Sequence, residues 1–234
     1  MTLTMRTDMQ ICVPTQVPED WKRLLARESH WKEGYSAMAL AQCWEAYKDR
    51  GCPPEIDKAL FPVSIYLAIP EFKVYLPPIT GHPSQTDLFV LGAEAEGLVA
   101  ISVEGKVNET FGPTLDERRS NLTPGLEERI GYILNLLQLP SNISGTIRYQ
   151  LLHRCTAAIH SAVQFHAYRA VMLVHSFSPS MPHGAWFEDF QAFGSLFNCD
   201  LEPERIETVG TFHGVQLDLG WCRGESRFLK KLTP

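Results

Sequence analysis

Residues 99–107 read VAISVEGKV, and this stretch decides the fold prediction. Side chains alternate between the two faces of a β-strand. One face would therefore carry only apolar groups, those of Val99, Ile101, Val103 and Val107. The other face carries Glu104 and Lys106, about 7 Å apart at their Cα atoms by the usual strand rise. The stretch predicts a strand with one buried face and one face that presents an acidic group beside a basic one.

Two more strands are predicted before this one. Residues 63–69 alternate in a period of two, and residues 86–91 form a second apolar run after a loop rich in Pro, Gly and Ser at 77–84. A turn over 92–97 leads from the second run into the third strand. Short turns between consecutive strands favour antiparallel pairing. The three strands therefore predict a meander.

Helical spacing of apolar residues surrounds the meander. It predicts a helix over 34–49 before the meander, and helices over 126–139 and 147–167 after it. Residues 170–177 (AVMLVHSF) are typical of a strand buried on both faces, and a helix over 185–197 and a strand region over 208–219 follow. The predicted fold class is α/β, a mixed central sheet with a three-stranded meander flanked by helices. We expect one domain over 1–234, with a core of about 34–177 and a C-terminal appendage over 178–234.

Composition narrows the function classes. The chain has 234 residues, 44% hydrophobic and 21% charged, which is ordinary for a globular protein. The net charge of −6 argues against a surface that attracts nucleic acid everywhere, but permits a local basic groove. No apolar run is long enough for a membrane span, and six scattered cysteines lack a C-x-x-C pair. These features predict a cytoplasmic protein with free thiols and no membrane association.

Asp87 opens the second predicted strand, beside the end of the third if the two pair antiparallel. That pairing would bring the Asp87 carboxylate next to Glu104 and Lys106. Two carboxylates from adjacent strands make an oxygen-rich site suited to Mg²⁺ or Mn²⁺. Lys106 would then position an attacking water or stabilise charge on a phosphate. The sequence predicts a divalent-metal site here.

This arrangement resembles the PD-(D/E)XK nuclease superfamily, which has a restriction-endonuclease-like core. In that superfamily a helix, a three-stranded meander, a helix and a strand follow one another. Its Asp begins the second strand and its (D/E)-x-K lies on the third, as Asp87 and Glu104-Gly105-Lys106 do here, with Ser84-Gln85-Thr86 where a Pro often precedes the Asp. The string VAISVEGKVNETFG is also similar to an uncharacterised bacterial domain family, thought to be a remote branch of the superfamily. The resemblance covers about residues 34–177 and implies phosphodiester hydrolysis with a divalent metal, often by a homodimer.

The resemblance also implies supporting residues. A carboxylate from the first helix would be Glu45 or Glu33, and a polar residue from the helix after the meander would be Gln150 or Arg154. Glu71 is a further candidate ligand, because the end of the first strand lies near the same sheet edge. The predicted metal ligands are Asp87, Glu104, Glu71 and Glu45. The predicted catalytic residues are Asp87, Glu104, Lys106 and Gln150.

The acidic-x-Lys spacing alone is weak, since it also occurs at Asp20 and Glu71. Without a metal, Glu104 and Lys106 would be a partly exposed ion pair worth about 0–1 kcal/mol. The expected function is metal-dependent hydrolysis of a nucleic acid whose type the sequence does not reveal, with Lys106→Ala abolishing cleavage and hardly changing the thermal melt. The alternative is a non-catalytic interaction module that retains the nuclease-like fold.

Overall fold

A computed structural model describes residues 10–79, 82–180 and 182–232. The strands are β1 (Ser64–Val74), β2 (Ser84–Glu94), β3 (Gly97–Lys106), β4 (Arg169–Ser176), β5 (Ile206–Phe212) and β6 (Val215–Arg223). The helices are α1 (Ser36–Tyr47), α2 (Pro54–Leu60), α3 (Leu115–Arg119), α4 (Pro124–Leu136), α5 (Tyr149–Gln164) and α6 (Phe187–Gly194), with short 3-10 helices at Pro18–Leu24, Glu28–His30, Lys48–Arg50, Ser195–Phe197 and Ser226–Leu229.

The strands form one mixed sheet in the order β1-β2-β3-β4-β6-β5. β1, β2 and β3 pair antiparallel, which confirms the predicted meander. The chain then crosses over through α3, α4 and α5 and returns as β4, parallel to β3. A crossover of this kind needs intervening helices, because parallel neighbours cannot be joined by a hairpin. The predicted mixed sheet flanked by helices is confirmed.

Helices cover both faces of the sheet and form two apolar cores. On one face, α4 and α5 pack over Phe89, Ala100 and Met172. On the other face, α1 and α2 pack over Val90, Ile101 and Leu173. β4 lies between the two cores and is buried along nearly its whole length, as its apolar run predicted.

The segment predicted to be an appendage contributes to the sheet instead. β6 pairs parallel with β4, and β5 pairs antiparallel with β6. Trp221 of β6 is fully buried and packs in the same core as α5. The resemblance covers residues only up to 177, and so it did not predict that the apolar face of β6 belongs to the core.

Among the described residues, no helix combines the length and the apolar character needed to cross a membrane.

Candidate active site

Glu104 and Lys106 lie at the C-terminal end of β3, on the face covered by α5. Lys106 Nζ donates to Glu104 Oε1 at 2.9 Å. The two residues are only 3% and 4% exposed, so this is a buried ion pair rather than the surface pair that the sequence allowed. A buried charge requires compensation from neighbours, because burial removes its hydration.

Two residues of α5 supply that compensation. Gln150 Nε2 donates to Glu104 Oε1 at 2.5 Å, and its Oε1 accepts from Lys106 at 3.2 Å. Arg154 Nε donates to Glu104 Oε2 at 2.6 Å. Gln150 and Arg154 are four residues apart and therefore share one face of the helix. The structure thus brings both predicted candidates of this helix to Glu104.

Asp87 reaches the same place from β2. The ladder between β2 and β3 runs as far as the pair Leu88–Val103. Beyond that pair, the Gly105 amide donates to Asp87 Oδ2 at 2.9 Å. Asp87 is half-buried, so the end of the strand pair leaves its carboxylate partly open to solvent.

Glu71 completes the cluster from β1. Its φ of 56° lies in the left-handed region, which is unfavourable for a residue with a side chain. Gln85 Nε2 donates to Glu71 Oε2 at 2.5 Å. Such local strain persists only where the surrounding structure holds the residue in place, and strained residues are common in functional sites.

The three carboxyl groups differ in their proton affinity. Burial alone would raise the pKa of Glu104, but Arg154 and Lys106 hold it at about 2. Burial and then the Glu104 charge raise the pKa of Asp87 to about 7. Burial and then the Asp87 charge raise the pKa of Glu71 to about 8. The cluster therefore keeps one firm negative charge and two carboxyl groups that retain protons near neutrality.

A second row of polar side chains supports Arg154. Its Nη1 donates to Ser84 Oγ at 2.8 Å, and Ser84 Oγ lies 3.1 Å from His153 Nδ1. The Ser84 hydroxyl thus accepts from Arg154 and makes a further hydrogen bond to the His153 ring. Burial and then the Arg154 charge lower the pKa of His153 well below its usual value, so the ring is neutral.

The oxygen atoms of the cluster suit a hard divalent cation. Within the described part of the chain, Asp87 Oδ1 and Glu71 Oε1 make no hydrogen bond, and Glu104 Oε2 accepts only from Arg154. All potential metal-ligand atoms in this set are oxygens, which Mg²⁺ and Mn²⁺ prefer. Asp87, Glu104 and Glu71 match such an ion in ligand chemistry, although their ligand atoms do not all lie within 4.8 Å of one another in the described part of the chain.

Comparison with known proteins places the chain in a family without assigning an activity. A family described as "Domain of unknown function (DUF6946)" matches residues 14–226. The chain belongs to this family. No curated protein and no solved structure matches the chain significantly. The match to DUF6946 extends through β6, in agreement with the integration of the C-terminal strands into the sheet.

Glu45 and Glu33 are not brought to the cluster of this DUF6946 chain. The Glu45 carboxylate accepts from Thr15 and Trp21, and pairs with Lys48 at 2.9 Å. Glu33 accepts from the Lys231 amide at 2.9 Å. The first helix thus contributes no carboxylate here, and Glu71 is the third acidic group. The sequence position of Glu45 and Glu33 did not reveal that both carboxylates are engaged by other residues.

Sequence reasoning missed the roles of Ser84 and Gln85. They were noted only as standing where a Pro is often found, whereas they hold Arg154 and Glu71 respectively. Arg148, at the start of α5, pairs with Asp189 at 2.8 Å and so ties α5 to α6. The one available signal was the polar character of 84–86 in an otherwise apolar strand.

Another group with metal-ligand chemistry lies on the opposite face, where single ligand atoms of Cys43, Glu55 and His175 fall within 4.8 Å of one another. Trp44 Nε1 donates to His175 Nδ1 at 3.3 Å, so the proton resides on Nε2, which lies 2.8 Å from Glu55 Oε1. An ion at Nε2 would require a proton on Nδ1, facing the Trp44 donor. Burial also raises the pKa of the Cys43 thiol. We interpret this group as a hydrogen-bonded structural network.

Proposed function

We propose that this protein is a hydrolase of nucleic-acid phosphodiester bonds that depends on Mg²⁺ or Mn²⁺. The observation that carries the proposal is the convergence of Asp87 and Glu104 with Lys106 at one end of two neighbouring strands. Gln150 joins them from α5 through Glu104 and Lys106. These are the four residues predicted to be catalytic.

The order of elements supports the same proposal. α1, the meander β1-β2-β3, α5 and β4 follow the order of the restriction-endonuclease-like core. Asp87 lies near the start of β2, and Glu104 and Lys106 lie at the end of β3, as the resemblance implies. The agreement concerns both the elements and the positions of charged residues along them, which is more specific than the acidic-x-Lys spacing alone.

In the proposed mechanism, Asp87, Glu104 and Glu71 would hold the cation, which would stabilise negative charge on the phosphoryl oxygens. Lys106 carries three N–H donors, of which two are committed to Glu104 and Gln150. The ammonium also lies 4.8 Å from the centroid of the Phe111 ring, and its third N–H is the donor that would orient a water or a phosphate oxygen. Gln150 fixes the ammonium, and Arg154 fixes Glu104, so the charged groups need little rearrangement during reaction.

The charge balance of the cluster depends on whether Asp87 and Glu71 hold their protons. Lys106 and Arg154 contribute two positive charges against the one firm negative charge of Glu104. Loss of the protons on Asp87 and Glu71 would turn this excess into a net negative charge. Once those protons are lost, Asp87 and Glu71 would favour a divalent ion, which would stabilise both carboxylates in their charged form.

The closed ion-pair network around Glu104 favours the second candidate function, a non-catalytic module. Both Glu104 oxygens already accept hydrogen bonds, so the cluster is stable as a structural element without metal. This reading requires that neither Mg²⁺ nor Mn²⁺ binds at Asp87 and Glu104.

Calorimetric titration with Mn²⁺ and Mg²⁺ separates the two functions. The wild type and Asp87→Asn are compared with Asp49→Asn, which changes an exposed aspartate elsewhere. We expect binding by the wild type and Asp49→Asn, and loss of binding in Asp87→Asn. Cleavage is then measured with Mn²⁺ on single-stranded DNA, double-stranded DNA and RNA. Absence of both binding and cleavage in the wild type would leave the non-catalytic module.

A further inference from the structure

A concave site lies beside the carboxylate cluster. It is a cavity of about 340 Å³ between the start of β2, α3, α4 and α5. The residues used below are Ser84, Arg118, Arg129, Tyr149 and His153, all of which line it. Ser84 also accepts from Arg154, whose other nitrogen holds Glu104. The Arg154 guanidinium therefore links the cavity wall to the proposed reaction site.

The cavity is electropositive. Its charged lining residues, within the described ranges, are two arginines, and no carboxylate lines it. Arg129 donates to the carbonyl oxygens of Leu76, Pro78 and His82, so it fixes the wall while contributing its charge. Arg118 lies over the Tyr149 ring, with 5.0 Å between its Cζ and the ring centroid. It makes no side-chain hydrogen bond or ion pair in the described part of the chain, so its donors are available.

Two neutral groups in the cavity also have unused hydrogen-bonding capacity. Tyr149 is 5% exposed, and its hydroxyl has no hydrogen-bond partner among the described residues. Ser84 contacts Nδ1 of the His153 ring, and the other ring nitrogen, Nε2, has no partner among the described residues. Both residues line the cavity, so these two polar atoms are open to a ligand that enters it. Together with Arg118 they form a set of donors suited to a phosphate.

We infer that this cavity binds the phosphate next to the scissile phosphodiester in a nucleic-acid strand. The inference rests on the proposed function, since it assumes that the cleaved phosphate lies at the carboxylate cluster. Successive phosphates along one strand then occupy the two adjoining sites. Arg118 supplies the direct contact, and the neutral Tyr149 and His153 donate without adding charge. The acidic protein thereby gains a local anion site despite its net charge of −6.

The test measures strand binding without catalysis. Fluorescence anisotropy follows a labelled single-stranded oligonucleotide in EDTA at several salt concentrations, with wild type, Arg118→Gln and the control Arg119→Gln. Arg119 lies on the same helix but donates to the Ser141 carbonyl and does not line the cavity. We expect Arg118→Gln to weaken binding about fivefold or more and to reduce the slope of log Kd against log salt by about 0.7, the value for one lost phosphate contact on a single strand. Arg119→Gln should match the wild type, and thermal melts should show that both variants are folded.

The outcomes distinguish this inference from the proposed function. If the wild type cleaves nucleic acid and Arg118→Gln shows unchanged Kd, salt slope and KM, the phosphate site is wrong and the hydrolase stands. If binding depends on Arg118 but Mn²⁺ and Mg²⁺ never support cleavage, the hydrolase is wrong and the phosphate-binding cavity stands. Absence of oligonucleotide binding by the wild type overturns the inference.

Discussion

The backbone amide of Gly105 donates to the side chain of Asp87 at 2.9 Å, just beyond the point where the ladder between their strands ends. Where the backbone ladder ends, the acceptor for the Gly105 amide is thus a side-chain carboxylate oxygen and not a backbone carbonyl oxygen. The contact fixes the orientation of Asp87 and leaves Oδ1 directed away from the Gly105 amide. The proposed metal site is therefore a consequence of how the two strands separate.

Replacement of Asp87 by Asn tests this relationship. The Asn oxygen can still accept from Gly105, whereas the negative charge that burial and Glu104 disfavour is removed. We expect Asp87→Asn to melt above the wild type at pH 8.5 without metal, by an amount on the order of 1 kcal/mol. We also expect Mn²⁺ to raise the melting temperature of the wild type and not that of the variant, because only a ligand that binds the native state stabilises it. Equal stabilisation of both proteins by Mn²⁺ would remove Asp87 from the ligand set.

The metal-free protein should lose stability as pH rises through neutrality. Asp87 and Glu71 have folded-state pKa values of about 7 and about 8, above their ordinary values of 3.8 and 4.5. A raised acidic pKa means that the folded state holds the proton more tightly, so the stabilisation is complete below the unfolded pKa and disappears as pH rises through the folded one. Glu104 acts in the opposite sense, since its pKa of about 2 makes its contribution disappear only as pH falls from about 4.5 towards 2.

Thermal melts in EDTA at pH 5.5 and pH 8.5 measure this effect. We expect the wild type to be less stable at pH 8.5 by on the order of 2 kcal/mol, part of which Glu71→Gln should abolish. Glu71 is half-buried, so solvent screening reduces its share. A melting temperature that rises from pH 5.5 to pH 8.5 in the wild type would contradict the proposed proton affinities.

The sequence predicted the sheet well because its signals were local. The alternation in 99–107 and the short turn over 92–97 fixed the meander, and the continuous apolar run over 170–177 fixed the buried strand. The positions of Asp87 and Glu104 followed from antiparallel pairing alone. Burial of Lys106 could not be predicted, because it depends on α5 packing across the end of β3, a contact between residues distant in sequence. The choice between Glu45 and Glu71 likewise depended on partners such as Trp21 that no spacing reveals.

Lys106→Met is expected to abolish cleavage, and its burial changes the expected effect on stability. The sequence suggested a nearly unchanged melt, but Lys106 is 4% exposed and pairs with a buried Glu104. Loss of one partner of a buried pair is destabilising, here limited because Arg154 still compensates Glu104. We expect a loss on the order of 1–3 kcal/mol in the free energy of unfolding. Chemical denaturation provides the measurement, with Lys58→Met as an exposed control that should match the wild type.

A comparison of Lys106→Met with the double variant Glu104→Gln/Lys106→Met separates charge from packing. The double variant lacks both the buried carboxylate and its ammonium partner, so no negative charge is left without compensation. The Arg154 guanidinium then faces a side-chain amide in place of a carboxylate. If Lys106 acts through Glu104, the two substitutions should be clearly non-additive relative to Glu104→Gln alone. Additive losses would mean that Lys106 stabilises the fold independently of the pair.

The third acidic metal ligand can be identified by mutation. The sequence offered two candidates for it, Glu71 and Glu45. Glu71 Oε1 makes no hydrogen bond within the described chain, and the Glu71 charge interacts with Asp87. Glu45 instead accepts from Trp21 and pairs with Lys48. We therefore expect Glu71→Gln to weaken Mn²⁺ binding about tenfold or more, as loss of a ligand or its orienting group does, and Glu45→Gln to leave the Mn²⁺ affinity unchanged while lowering the melting temperature. Calorimetric titration of both variants at pH 8 decides the point, and the opposite pattern would place the first helix back in the metal site.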